Sequence, residues 1–549
     1  MSTLASPPRR QGDPDGAPPP GGRRILGLDR IELGALIALS GLSLVVLAAL
    51  ASKGRPLSGA DGLLAADQLQ YLSWIREASH HLLIGNRFDL APGDRTFLHP
   101  GFAISGGLHA LGLSVPLAYL VWKPVAVAVT FYGTLRYVRR FFAAGEAGAR
   151  HAALLLALFA VMPAAWIVAW TGWGGNLRQY TFDFISGEMW SSQYLWGYLM
   201  TAIAVFLMPL CLLAYERGRL GWAAAAASLV CWLQPWQGAT LALIVVAVEA
   251  WRALSARRRP PLAAPAAVCA AVGIPALYYL LLSRLDPAWE LAGEANAAGA
   301  MAEWSWPWWA VALTLAPLAV PAALAYRTPA ASWQDVALRV WPFAALAVYL
   351  LPLGTFPYHS FQGLALPLSI LAVQGALTVW RRPAPLAVSA VLALMILPGV
   401  AHKAEVSLHS IRSAGDPFWV FPGEVAALKA IEADPRPGGT LGPVYAGYML
   451  PYRTGRETWI GAFSWTPDWK QRQKLADGLV DGSIQGRAAR DLVVRSRARF
   501  VFVDCRPGLA DLEPSLAPIL ESTRRFGCAS VYTVRDRPDM ARAAGRPDE

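Results

Sequence analysis

The fold is decided by an apolar run and the polar loop after it: IELGALIALSGLSLVVLAALA at residues 31–51, then AADQLQYLSW at residues 65–74. At a rise of 1.5 Å per helical residue, the run is long enough to cross the roughly 30 Å hydrocarbon core of a bilayer. Comparable runs recur as far as Leu394. The sequence therefore predicts a polytopic membrane protein whose polar loops carry its chemistry.

Composition supports this interpretation. Of 549 residues, 55% are hydrophobic and 15% are charged, against roughly 25% charged in ordinary soluble domains. The net charge of +11 comes largely from arginine clusters between apolar runs, where the positive-inside rule places them. The charge thus reports orientation, and we expect no nucleic-acid partner.

Apolar length predicts about eleven spans in a mainly α-helical bundle. They are 31–51, 114–138, 152–170, 193–215, 221–233, 236–254, 262–283, 304–326, 341–353, 361–380 and 385–400. Arginine clusters alternate with these runs so that the N-terminus is cytoplasmic and the C-terminal part lies outside. We expect a multi-pass protein of the plasma (inner) membrane.

This topology divides the chain into three parts. Residues 1–30 form a disordered basic N-terminus, because they are rich in proline, glycine and arginine. Residues 31–400 form the transmembrane domain, with a first outer loop at 52–113 and a second at 171–192. Residues 401–549 form an extracytoplasmic α/β domain, where strand-like residues 499–504 and 529–534 flank a predicted helix at 509–524.

Cys505 and Cys528 stand at the ends of those two strands. Parallel pairing, which strand–helix–strand order favours, would put the two cysteines at opposite edges. Antiparallel pairing would allow a disulfide, and an outer location permits oxidation. The sequence leaves both arrangements open.

Asp67 is the first candidate catalytic residue. Tyr71 follows it at helical spacing, so the two side chains share one helix face near the outer membrane surface. A carboxylate partly screened from water beside aromatic rings can act as a general base for a hydroxyl. A helix-start acid stabilised by the helix dipole is the alternative.

The second outer loop supplies Glu188 and Arg178, among several aromatic residues. Glu188 directly precedes a span and is the stronger acid candidate, while an arginine can pair with phosphate. A solvated loop with an aromatic interfacial belt would explain the same composition.

Lys123 lies within the second predicted span, where an ammonium is costly and usually faces a polar cavity. An anionic lipid phosphate would be a suitable partner, and snorkelling to the interface is the alternative. His99 and His359 lie in outer loops and can contact phosphate or shuttle protons, although loop histidines are often only solvated. We assign no residue as a metal ligand, because no zinc-spaced cluster appears.

Three stretches resemble the GT-C class of integral-membrane glycosyltransferases: ADQLQYLSWIREA at 66–78, SGEMWSSQ at 186–193 and YRTGRETWIGAFSWTPDWKQRQ at 452–473. The resemblance implies a polyprenyl-phosphate-linked sugar donor, a membrane lipid environment and an extracytoplasmic acceptor that is a glycan, lipid or protein. Asp67 matches the first-loop acid of the family, and Glu188 matches the second-loop acid loosely.

The resemblance implies an inverting transfer of the sugar to an acceptor hydroxyl. Lys123, Arg178 and His359 are the candidates for holding the lipid phosphate, with Tyr71 and His99 beside them. Asp67 is followed by Gln68 rather than by a second acid, which leaves a divalent metal cofactor such as Mg²⁺ or Mn²⁺ open. A lipid or solute transporter (or flippase) and a non-catalytic membrane assembly protein are the alternative functions.

Overall fold

The computed structural model describes residues 27–62, 65–91, 93–143, 145–256, 262–302, 308–351, 357–380, 383–413, 417–506 and 508–536. The predicted disorder of residues 1–30 therefore falls almost wholly outside the described residues. The described chain is mostly helical, with a small sheet near its C-terminus.

Helices dominate the described residues from Arg30 to Ser413. They are α1 (Arg30–Ala51), α2 (Ala65–Ala78), α3 (Pro100–Ala110), α4 (Val115–Leu120), α5 (Trp122–Phe141), α6 (Ala147–Phe159), α7 (Pro163–Thr171), α8 (Gly175–Met189), α9 (Leu199–Glu216), α10 (Leu220–Leu233), α11 (Pro235–Ala256), α12 (Ala263–Leu285), α13 (Pro287–Ala302), α14 (Trp308–Ala325), α15 (Trp333–Leu350), α16 (Ala365–Val379) and α17 (Pro385–Ser413). Short 3₁₀ helices cover Ser191–Leu195 and Pro357–Phe361.

Within the described residues, 7 helices are long and apolar enough to cross a membrane. The pair α6 and α7, bent by 52°, would make an eighth span. The helices α10 and α16 are apolar but shorter, and α15 lies where the ninth span was predicted. A membrane protein is thus supported, while the number of eleven spans and their orientation stay predictions.

Ion pairs gather several helix ends at one end of the bundle. Arg139 of α5 contacts Glu32 of α1 (Nε–Oε1 3.1 Å), and Arg150 of α6 contacts Asp29, which caps α1 (Nη2–Oδ2 2.9 Å). These contacts join the N-terminal end of α1 to the junction between α5 and α6.

The first outer loop packs against the C-terminal region at the opposite end. Arg76 of α2 donates to the backbone oxygen of Tyr452 (2.8 Å) and pairs with Glu432 (2.8 Å). The backbone N–H of Thr458 donates to the backbone oxygen of Arg87 (3.0 Å). The helix that carries Asp67 is thereby fixed to the tail of the chain.

The C-terminal region is a small α/β unit. Its helices are α18 (Pro422–Glu432), α19 (Val444–Gly447), α20 (Leu450–Thr454), α21 (Trp469–Val480), α22 (Gly486–Ser496) and α23 (Glu513–Leu516), with a 3₁₀ helix at Ala517–Ile519. Its strands are β1 (Thr440–Leu441), β2 (Phe500–Val503), β3 (Leu520–Phe526) and β4 (Ala529–Val534), in the order β1-β2-β4-β3.

Two details of the predicted domain are wrong. The helix expected at 509–524 is the single turn α23 followed by β3, because residues 520–526 form a hairpin ladder with β4. The parallel pairing expected for the two predicted strands is also wrong, since β2 and β4 are antiparallel. β1 and β2 pair in parallel.

The antiparallel pairing settles the cysteine question that the sequence left open. It brings the end of β2 beside the start of β4, and Cys505 and Cys528 form a disulfide with a Cα–Cα distance of 4.8 Å. The remaining cysteines, Cys211, Cys231 and Cys269, are free.

Candidate functional site

Asp67 lies in the first turn of α2 and is half-buried. The hydroxyl of Tyr198, the residue just before α9, donates to Asp67 Oδ2 at 2.8 Å. The backbone just before this tyrosine, at Gly197, lies close to the backbone of Gly62. Gly197 has a φ of +92°, and a Cβ there would come within 2.8 Å of Gly62 Cα, so only glycine fits.

Burial raises the pKa of the Asp67 carboxyl above its usual range. The negative charge of Glu188 raises it further, while the Tyr198 hydrogen bond and His359 act in the opposite direction. A carboxylate that binds a proton more readily than usual is better suited to take one from a hydroxyl. The same charges show that Asp67, Glu188 and His359 share one electrostatic environment.

Glu188 stands near the C-terminal end of α8 and is held by a polar network. Gln362 Nε2 donates to Glu188 Oε2 at 2.8 Å, and His359 Nδ1 lies 3.2 Å from the same oxygen. Gln234 Nε2 donates in turn to Gln362 Oε1 at 2.9 Å. Residues from the α10–α11 junction and from the segment before α16 thus converge on the Glu188 carboxylate.

Tyr71 lies one turn after Asp67 on α2, among aromatic rings. Its ring centroid is 5.4 Å from that of Phe102 and 6.3 Å from that of Tyr119. Burial and the Asp67 charge raise its pKa well above the usual value, so the phenol stays protonated. The structure therefore brings Asp67, Tyr71, Glu188 and His359 to one end of the bundle.

Lys123 lies at the start of α5, where protein oxygens surround its ammonium. Its Nζ lies 2.6 Å from Asp61 Oδ2, 2.7 Å from the Leu195 carbonyl oxygen and 3.0 Å from the Ser43 carbonyl oxygen. An ammonium has three donors, and these three oxygens match them. Lys123 is a buried structural cation, and its role as a lipid-phosphate ligand finds no support in these contacts.

His99 is likewise structural. It caps α3, where its Nδ1 accepts a hydrogen bond from the Phe102 N–H at 3.3 Å, and its ring stacks on Phe102. Burial lowers the pKa of His99 to about 3. A neutral ring that already accepts a backbone hydrogen bond is poorly suited to binding phosphate.

Arg178 lies near the start of α8 and stacks on two indole rings, 4.4 Å from the centroid of Trp173 and 5.6 Å from that of Trp309. It precedes Glu188 by ten helical residues, which corresponds to roughly 15 Å along the axis. Its role as a phosphate ligand stays a prediction, at a position away from the Asp67–Glu188 group.

Asp183, His402 and Lys403 form a cluster that the sequence analysis did not identify. Asp183 Oδ1 lies 2.8 Å from Lys403 Nζ and 2.9 Å from His402 Nε2, so the cluster joins α8 to α17.

The sequence also gave no prediction for Tyr198 and Gln362, the partners of Asp67 and Glu188. Their one sequence signal is a polar group at the end of an apolar run.

No three metal-ligating atoms gather at Asp67 within the described residues. Elsewhere in the described residues, Asp29, Glu32 and His151 form a close group of two carboxylates and a histidine. This group lies at the opposite end of the bundle from Asp67. Its oxygens are already paired with Arg139 and Arg150. A divalent metal at Asp67 therefore stays a prediction, and the reaction is derived from the residues of the chain alone.

Among the comparisons with known proteins, the comparison with solved structures gave matches. No family model and no curated protein matches the chain. Among solved structures it is similar to ArnT from Cupriavidus metallidurans bound to undecaprenyl phosphate, with 14% identity over 94% of this chain and 99% of that chain and a TM-score of 0.45.

It is also similar to the archaeal oligosaccharyltransferase AglB from Archaeoglobus fulgidus in complex with an inhibitory peptide and a dolichol-phosphate. That match has 14% identity over 87% of this chain and 69% of that chain, with a TM-score of 0.41. Both are proteins of the GT-C class that the three sequence stretches resemble. Both TM-scores lie below 0.5, and the functional interpretation therefore rests on the contacts of this chain.

Proposed function

We propose that this chain is a membrane glycosyltransferase that moves a sugar from a polyprenyl-phosphate donor to an acceptor hydroxyl on the outer side of the membrane. The observation that carries the proposal is the convergence of Asp67 with Glu188 and His359 at the end of a helix bundle. Burial raises the pKa of the Asp67 carboxyl. A raised pKa suits a general base, which starts ionised and then takes a proton from the acceptor hydroxyl.

In the proposed reaction, the acceptor hydroxyl oxygen attacks the anomeric carbon of the donor sugar. The bond from that carbon to the phosphate oxygen breaks, and the polyprenyl phosphate leaves with the electron pair. Asp67 takes the acceptor proton, while the Tyr198 hydroxyl keeps the carboxylate oriented. Attack opposite the leaving phosphate inverts the anomeric configuration.

Glu188 and His359 act beside this step. Gln362 and His359 both contact the Glu188 carboxylate, which fixes the imidazole next to the reaction centre. His359 would donate a hydrogen bond to the departing phosphate. Arg178 remains the second candidate for a phosphate contact.

The test is release of radiolabelled sugar from a panel of polyprenyl-phosphate sugars by the purified chain in lipid nanodiscs. We expect Asp67→Asn to abolish most of the release, because the amide cannot accept the proton; losing a general base costs about 10²–10⁴-fold. Asp491→Asn is the matched control, since Asp491 is an exposed carboxylate on α22. Equal release by all three proteins would refute the assignment of Asp67.

A further inference from the structure

The hydroxyl of Tyr119 joins α4 to the start of α9. It donates to the Gly197 carbonyl oxygen at 2.7 Å and accepts from the Leu199 backbone N–H at 3.2 Å. The Tyr119 side chain is 1% exposed, so either backbone group would stay unpaired if the hydroxyl were removed. One buried hydroxyl therefore pairs the backbone on both sides of Tyr198, the residue that donates to Asp67.

The first N–H group of α9 needs a partner from outside the helix. Leu199 opens α9, and the first four N–H groups of an α-helix have no partner within it. Tyr198 stands at the N-cap position but makes no side-chain capping bond, and its hydroxyl donates to Asp67 Oδ2 instead. Tyr119 thus caps α9 from another helix and leaves the Tyr198 hydroxyl to Asp67.

The turn before α9 also packs against the segment that carries Asp67. A Cβ on Gly197 would come within 2.8 Å of Gly62 Cα and 3.1 Å of Gln68 Oε1. Gly62 precedes α2, and Gln68 lies next to Asp67 on that helix. The turn is therefore held by hydrogen bonds from α4 and by a close packing contact from the start of α2.

The protonation of Asp67 depends on where the Tyr198 hydroxyl lies. Burial raises the pKa of the Asp67 carboxyl, and the hydrogen bond from Tyr198 opposes that rise. His359 opposes it too, while Glu188 adds to it. Tyr71 lies one turn further along α2, with its ring centroid 6.4 Å from that of Tyr198. Displacing the Tyr198 hydroxyl removes a bond to the ionised form and favours the protonated carboxyl.

We propose that Tyr119 is a positioning residue of the transfer reaction, whose hydroxyl fixes the turn before α9 so that Tyr198 keeps the Asp67 carboxylate oriented. The inference rests on the proposed glycosyl transfer and adds to it a residue that acts through Tyr198. Tyr119→Phe removes one oxygen atom and keeps the ring. The Gly197 carbonyl and the Leu199 N–H then lose their partner, the turn shifts, and the Tyr198 hydroxyl leaves its place on Asp67.

The first measurement does not depend on turnover. A hydrophobic carbodiimide reacts with protonated carboxyls, so the pH at which half of Asp67 is labelled reports its protonation in the purified full-length protein in nanodiscs. Peptide mass spectrometry reads the label. We expect this midpoint to rise by about one pH unit in Tyr119→Phe and similarly in Tyr198→Phe. The double variant should show no further rise, because both changes break the same chain of contacts.

The second measurement is release of labelled sugar, with kcat and the KM for the donor determined separately. We expect Tyr119→Phe to lower kcat by about tenfold with an unchanged KM, because orientation of the base is lost rather than donor binding. Tyr279→Phe is the matched control, since it removes a hydroxyl that donates to the Trp232 backbone oxygen at 2.7 Å. It should keep the kcat and the labelling midpoint of the wild type.

A second variant covers the case in which Tyr119→Phe does not fold. Replacing Tyr119 by p-aminophenylalanine keeps a donor for the Gly197 carbonyl but supplies a weak acceptor for the Leu199 N–H, and should raise the midpoint by a smaller amount. A wild-type midpoint in whichever variant folds, an absence of label in both proteins included, would overturn the proposal. A further full rise in the double variant would overturn it too, since Tyr119 would then act independently of Tyr198.

The two proposals fail in different ways. A raised midpoint in Tyr119→Phe, together with no sugar release from any donor, would count against the transferase and leave the positioning of Asp67 by Tyr119 intact. Sugar release that depends on Asp67, with the kcat and the midpoint of the wild type in Tyr119→Phe, would keep the transferase and refute the positioning role.

Discussion

Removing the Lys123 ammonium should destabilise the chain rather than weaken binding of a lipid phosphate. Lys123 is 5% exposed and Asp61 is 1% exposed, and their charged atoms are 2.6 Å apart. Asp61 also holds the start of α2, since its Oδ1 accepts from Gln68 Nε2 at 2.8 Å. Lys123→Met therefore leaves a carboxylate buried without its counter-ion.

Breaking a buried ion pair from one side costs about 3–5 kcal/mol, and we expect Lys123→Met to lose that much stability. Asp61→Asn in the same chain should restore much of it, because the amide carries no charge and its Oδ1 can still accept the hydrogen bond from Gln68 Nε2. The coupling between the two changes should reach about 0.5–3 kcal/mol, as for other residues in contact.

The assay is unfolding of the purified protein in mixed micelles by rising SDS, followed by tryptophan fluorescence, for the wild type, both single variants and the double variant. Lys53→Met is the control, since Lys53 is exposed just after α1. The reasoning is refuted if Lys123→Met unfolds like the wild type but binds polyprenyl phosphate more weakly. That result would restore the role that the sequence suggested for Lys123.

Two further predictions concern Asp67 and the tail. Tyr198→Phe removes a hydrogen bond that favours the ionised Asp67, so the already raised pKa should rise further and the acid limb of the pH–rate profile should move to higher pH. An unchanged profile in Tyr198→Phe, with Tyr180→Phe as the exposed control, would contradict this. Replacing both Cys505 and Cys528 by alanine opens a loop with a sequence separation of 23 and should cost the tail about 3 kcal/mol, measured as faster proteolysis. Maleimide labelling of both cysteines in the native protein without reductant would show that the bond is absent.

The helix bundle was predictable because apolar length is a local property of the sequence. In the described residues, each of the eleven predicted runs overlaps one helix or two consecutive helices. The error in the tail is local. The helix predicted at 509–524 is wrong because its second half pairs with β4 across the two-residue turn at Gly527 and Cys528, and Pro514 and Pro518 were a signal against a long helix there.

The candidate site likewise contains residues that the local sequence could suggest and residues that only tertiary contacts reveal. Asp67 and Glu188 could be proposed from the sequence because acids near the ends of apolar runs stand out in such a chain. Their partners could not, since Tyr198 and Gln362 are ordinary polar residues whose meaning comes from tertiary contacts. The contact between Lys123 and Asp61 could not be predicted for the same reason, because Asp61 precedes Lys123 by more than sixty residues in the sequence.

Lys123 and Asp67 differ in how far the protein compensates their charges. This difference favours a structural role for Lys123 and a chemical role for Asp67. The ammonium has an ion-pair partner and two carbonyl oxygens, so its charge is compensated within the protein and it stabilises one structure. Asp67 keeps part of its surface accessible and has a raised pKa, so ionising it is costly without a further partner. A carboxylate in that state gains more from a hydroxyl proton than a compensated one would. The Lys123–Asp61 pair anchors the start of α2, because Asp61 also accepts a hydrogen bond from Gln68 on that helix. Asp67 lies in the first turn of the same helix.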